Sequence, residues 1–124
     1  MAASIGITPD NNKIIADLIE DKTFFESEQD IARFAFAYAI KMRLDIVDPS
    51  YYPSNATTKW HYEAIDPKRE MYDLVSVLHP EVDNKEKYVE KIINQGISAI
   101  GKKMSNGRLY SITPLITESF SLDG

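Results

Sequence analysis

Apolar residues return with the 3.6-residue period of an α-helix in four stretches of this chain. The first opens at Thr8-Pro9, an N-cap hydroxyl followed by proline at the first helical position. It carries Ile14, Ile15, Leu18 and Ile19 along one face to an expected end near Asp21. Residues 22–25, KTFF, are too short and too apolar for a loop tip and read as an extended lead into Ser27. Ser27-x-x-Asp30 has the form of a capping box. The second helix follows it, with Ile31, Phe34, Ala35, Tyr38, Ala39 and Met42 on one stripe. Ala32 and Ala37 keep its opposite side small, so contacts from several directions are expected.

Periodicity is lost over residues 48–58, DPSYYPSNATT, which reads as a connection. Residues 59–65 place Trp60, Tyr62 and Ala64 on one side of a short strand, with a helical turn as the open alternative. Asp66-Pro67 repeats the cap-and-proline start, and Met71, Leu74, Val75 and Leu78 form the stripe of a third helix that His79-Pro80 breaks. Asn84 or Asp83 caps the fourth and longest helix, whose stripe is Tyr88, Ile92, Ile93, Gly96, Ile97, Ile100 and Met104. Glycine in a helix costs about 1 kcal/mol relative to alanine, so Gly96 is expected to permit a close helix crossing. Asn106-Gly107 is the expected stop, and residues 109–124 retain Leu109, Ile112, Leu115, Ile116 and Phe120. That apolar content predicts a segment that docks on the bundle or on a partner. The expected fold is mainly α: one domain over residues 1–124, a compact bundle of four principal helices with at most a short β segment.

Composition narrows the functional classes. At 124 residues and 44% hydrophobic, the chain can bury one core, and its 27% charged residues are ordinary for a globular domain. The absence of cysteine excludes a disulfide framework, a thiol nucleophile and Cys-ligated zinc. With no apolar run long enough to span a bilayer and no signal-like start, a cytoplasmic protein is expected, and the sequon Asn55-Ala56-Thr57 is read as chance. The net charge of −5 is concentrated in residues 1–30, which hold Asp10, Asp17, Glu20, Asp21, Glu26, Glu28 and Asp30 against Lys13 and Lys22. A nucleic-acid binder usually presents a basic stripe. The local candidate for one is Lys102, Lys103 and Arg108, which would equally complement a helix C-terminus.

Candidate chemistry is sparse. His61 and His79 fall in different elements and in no metal-binding pattern. The acids Glu81, Asp83 and Glu86, like Glu26, Glu28 and Asp30, surround helix starts, where the helix dipole favours them. The glycines of GISAIG at 96–101 lie inside an amphipathic helix with no strand before it, so they do not cradle a phosphate. No catalytic, metal or cofactor site follows from these residues, and a non-enzymatic protein is expected. The aromatics Tyr51, Tyr52, Trp60 and Tyr62 cluster near the central connection, where they could close the core, anchor a protein interface or stack on a base.

Three passages carry a family resemblance: IARFAF at 31–36, LVSVLHP at 74–80 and QGISAI at 95–100. In that order they resemble the small helical E subunit of the Dnd DNA phosphorothioation (sulfur-modification) machinery and related small proteins of bacterial DNA-modification and phage-defence loci. The resemblance implies an accessory subunit with other protein subunits as partners. Because that family is similar to ribbon-helix-helix proteins, it also implies an alternative: a homo-oligomer binding duplex DNA through basic residues, with residues 22–26 pairing across a dimer.

Overall fold

The structure is a computed structural model that describes residues 3–20, 25–44 and 55–104. It is mainly helical, with one short antiparallel sheet. The order is β1 (Ser4–Ile7), α1 (Pro9–Glu20), α2 (Glu28–Lys41), β2 (Thr57–His61), α3 (Tyr62–Ile65), α4 (Glu70–Leu78) and α5 (Lys85–Met104). Three of the expected caps form. Thr8 Oγ1 accepts from Asn11 N at 3.2 Å, Ser27 Oγ from Asp30 N at 3.2 Å, and Asn84 Oδ1 from Lys87 N at 3.1 Å. Asp30, the expected second half of a capping box, instead takes Arg33 Nη1 at 3.1 Å.

Three features depart from the sequence expectation. Residues 4–7 are a strand, because Ile5 pairs with Trp60 and Ile7 with Thr57, far away in sequence. The expected strand at 59–65 divides: residues 57–61 pair with β1, drawing Thr57 and Thr58 out of the connection, and residues 62–65 coil into a helical turn. The third helix starts at Glu70 rather than beside Asp66-Pro67, since the chain first turns through Arg69 in the left-handed region at φ 57°. Asp66 still caps α4, at longer reach. Its carboxylate accepts from Met71 N at 3.1 Å and Tyr72 N at 3.0 Å.

The core is built around α5. Every residue from 88 to 97 is buried, so this helix has neighbours on all sides. Its most extensive partner is α2, which buries Ile31, Ala32, Phe34, Ala35, Phe36, Tyr38 and Ala39. Phe34 continues the core outward, with ring centroids 5.5 Å from Phe25 and 6.2 Å from Tyr38. The helices cross at Gly96, where a Cβ would penetrate the carbonyl oxygen of Ala35. Gly101 sits similarly against α1, but there the added atom would meet only the end of the Ile14 side chain.

These two glycines should respond differently to alanine. Alanine gains about 1 kcal/mol of helix propensity at either site. At Gly96 the obstacle is backbone, and overpacking of about 1–3 kcal/mol or more should win. We expect Gly96→Ala to lower the thermal midpoint by several degrees and Gly101→Ala to leave it nearly unchanged. Equal midpoints in thermal unfolding would show that the crossing is not close.

Candidate functional site

A buried polar group is either a component of chemistry or a component of the fold, and its partners decide which. On α5, Glu90, Asn94 and Ser98 recur at intervals of four and line one face. That face meets β1 and the start of α1. Glu90 Oε2 accepts from Gly6 N at 2.7 Å, and Asn94 Nδ2 donates to Gly6 O at 2.9 Å. The Gly6 backbone groups turned away from β2 thus find in two side chains what a third strand would supply. A Cβ on Gly6 would come within 3.0 Å of Glu90 Oε2.

Asn94 reaches further. Its Oδ1 accepts from Thr8 N at 3.2 Å and from Asn11 Nδ2 at 3.0 Å, while Asn11 Oδ1 accepts from Ser98 Oγ at 3.0 Å. Glu90 Oε1 lies 2.9 Å from Lys87 Nζ, an ion pair along α5. Lys91 is buried beside it, with Nζ 4.6 Å from the Tyr88 ring centre. These partners of Glu90, Asn94, Asn11 and Ser98 belong to β1, α1, the residue between them or α5 itself, so this polar face ties elements together.

The second buried polar group is Tyr62 with Asp66. The phenol donates to Asp66 Oδ2 at 2.6 Å, and the same carboxylate holds the start of α4. Burial first, and then the bond to Asp66, push the Tyr62 hydroxyl far above its ordinary 10.0. Over this pair lies Arg69, its guanidinium 4.1 Å from the Tyr72 ring centre and 3.3 Å from Glu86 Oε2. These contacts hold Arg69 in its left-handed conformation.

The sequence candidates separate in space. Tyr62, taken as a possible surface aromatic, is 1% exposed and belongs to the core, because its ring caps the sheet while its hydroxyl satisfies Asp66. Trp60 is half-buried on β2, with Lys59 Nζ 5.5 Å from its ring centre. Lys102 and Lys103 stand exposed on the last turn of α5. Tyr51, Tyr52 and Arg108 lie outside the described residues, as do residues 22–24 and 109–124. His61 is exposed, and His79 packs at a tilt against Tyr88 with centroids 4.8 Å apart. No group of three or more metal-ligating side chains occurs among the described residues, and no helix among them is long and apolar enough to cross a membrane.

What sequence reasoning missed is on α4. Of its stripe Met71, Leu74, Val75 and Leu78, only Val75 is fully buried. Leu74 is 37% exposed, Leu78 45% and Val77 76%. The helix leans on α5 near its ends, through Arg69–Glu86 and His79–Tyr88, which leaves this side outward. Val77 was the available signal: it widens the apolar stripe beyond what a single buried seam needs.

Searches against protein-family models, curated proteins and solved structures returned no match.

Two substitutions test the structural role of the interior polar groups. Asn94→Ala strands Thr8 N, Asn11 Nδ2 and Gly6 O, at roughly 1–3 kcal/mol per buried group, so a loss of about 3 kcal/mol or more is expected in denaturant unfolding. A loss under about 1 kcal/mol would mean that water replaces the carboxamide. Tyr62 gives a pH test. Its folded value is raised, so its contribution is complete below the unfolded value of 10.0 and falls as pH rises beyond it. Stability of the unaltered chain should therefore decline above about pH 10 more steeply than that of Tyr62→Phe, by up to about 1.4 kcal/mol per pH unit. Parallel pH profiles would contradict the burial of the phenol.

Proposed function

We propose that this chain is a non-enzymatic accessory subunit of a bacterial DNA-modification or phage-defence complex, acting in the cytoplasm through protein contacts. The observation that carries the reading is the exposed ridge of Leu74, Val77 and Leu78 on one face of α4. Single exposed apolar side chains are ordinary, but three adjoining ones on a rigid helix make the kind of patch a protein partner covers. The resemblance to the E subunit of the phosphorothioation machinery supplies the kind of complex. Two of its three passages meet at the Ala35–Gly96 crossing, and the third runs through the ridge itself.

The runner-up is a duplex-DNA module of ribbon-helix-helix type. It is favoured by Lys102 and Lys103, exposed in succession where α5 ends. Phosphate contacts by cations would make its affinity fall steeply with salt.

The two readings separate on one set of variants. For a contact subunit, full-length tagged chain expressed from its own locus should elute with the DNA-modification proteins encoded there. Lys102→Glu, Lys103→Glu and Arg108→Glu combined should leave that complex intact. Trp60→Ala should weaken it by about 2 kcal/mol if that ring anchors an interface. Submicromolar binding to duplex DNA at physiological salt, lost on charge reversal with a salt slope smaller by about one per contact, would favour the DNA module instead.

A further inference from the structure

The ridge on α4 carries its own indication of what covers it. Leu74, Val77 and Leu78 are spaced i, i+3 and i+4 and share one face of the helix. Glu70 lies one turn before Leu74 and Asp73 one turn before Val77, which places both exposed carboxylates on or beside the same face. Neither carboxylate takes an ion pair among the described residues. Just past the helix, Glu81 adds a third acid, with His79 Nδ1 3.5 Å away. Helix α4 contains no basic residue. Of the cations near it in sequence, Arg69 is engaged by Glu86 and Tyr72, and Lys85 by the Val82 carbonyl; Lys68 is exposed in the turn before the helix.

We propose that α4 docks an amphipathic basic helix of a partner protein, apolar residues against Leu74, Val77 and Leu78 and lysine or arginine against Glu70, Asp73 and Glu81. This rests on the contact-subunit reading and adds the surface and the partner's chemistry. An exposed helical stripe a few turns long is matched by a second helix laid along it, with apolar anchors at the same spacing. The acids beside the ridge, Glu70 and Asp73 without an ion pair among the described residues, then select a cationic rim. A second copy of this chain fits less well, because two α4 faces would bring carboxylates together with no cation on either helix, in a chain of net charge −5. Nucleic acid is disfavoured at this face by the same carboxylates.

The test uses the full chain and two fluorescein-labelled synthetic helical peptides with leucine at i, i+3, i+4 and i+7, one carrying lysine on its remaining positions and the other glutamate. Fluorescence anisotropy should show saturable binding of the lysine peptide, weakening as salt rises, and none of the glutamate peptide. Val77→Asp, at a site too exposed to disturb folding, should weaken the lysine peptide about tenfold or more with an unchanged thermal midpoint. Glu70→Lys with Asp73→Lys should transfer the preference to the glutamate peptide. The inference is overturned if both peptides bind alike, if Val77→Asp leaves binding unchanged, or if sedimentation shows a dimer that Val77→Asp dissociates. None of those results touches the co-elution experiment, so the contact-subunit reading stands or falls separately.

Discussion

Helix α5 is surrounded by protein over half its length, and an interior helix cannot leave polar atoms without partners. The carboxamide of Asn94 resolves most of that constraint. It bonds to Gly6 O, Thr8 N and Asn11 Nδ2, so one side chain fixes the end of β1, the start of α1 and their orientation on α5. Low polarity around these bonds makes each stronger, and makes the loss of any one more costly. The two-stranded sheet depends on the same contacts. A two-stranded ribbon is marginal alone. Here its inner edge is completed by Glu90 and Asn94, and its outer strand is interrupted by a bulge.

On the opposite side of α5 the determining quantity is distance. Gly96 lets the backbone of α2 approach until the Ala35 carbonyl occupies the space of a missing Cβ. The Phe34 ring of α2 meanwhile packs between those of Phe25 and Tyr38. A polar ladder on one face and a close apolar crossing on the other position α5. With that helix fixed, α4 is held by Val75 buried on its inner side and by contacts at its two ends. Arg69 and Glu86 hold one end and His79 and Tyr88 the other, which frees the middle of α4 to present Leu74, Val77 and Leu78. The surface on which the functional reading rests follows from how the core is held.

The interior polar groups also bear on function. Tyr62 and Asp66 have the proximity that a proton-transferring pair requires, but the carboxylate is spent on two backbone amides and the phenol lies inside the core. Glu90 is similarly held by a backbone amide. Outward, the described residues include an apolar ridge with acids beside it on α4 and two lysines at the end of α5.

Local signals determined the helices. Thr8, Ser27 and Asn84 cap because a side-chain oxygen two or three residues from a free amide needs no tertiary information. His79-Pro80 ends α4 because the residue before proline is driven out of the helical region. The role of Gly96 was legible too, since a glycine on an apolar stripe has few other uses. Tertiary structure decided the rest. Strand β1 exists only because residues more than fifty positions away supply its partner, and four residues carry no period by themselves. Asn94, Glu90 and Asn11 carry no signal of burial in the sequence, since nothing local distinguishes a buried amide from a solvated one. Leu74 and Leu78 share the stripe of the buried Val75 yet stand exposed for the complementary reason: periodicity gives the face of a helix, while the neighbours that approach it decide which faces are covered.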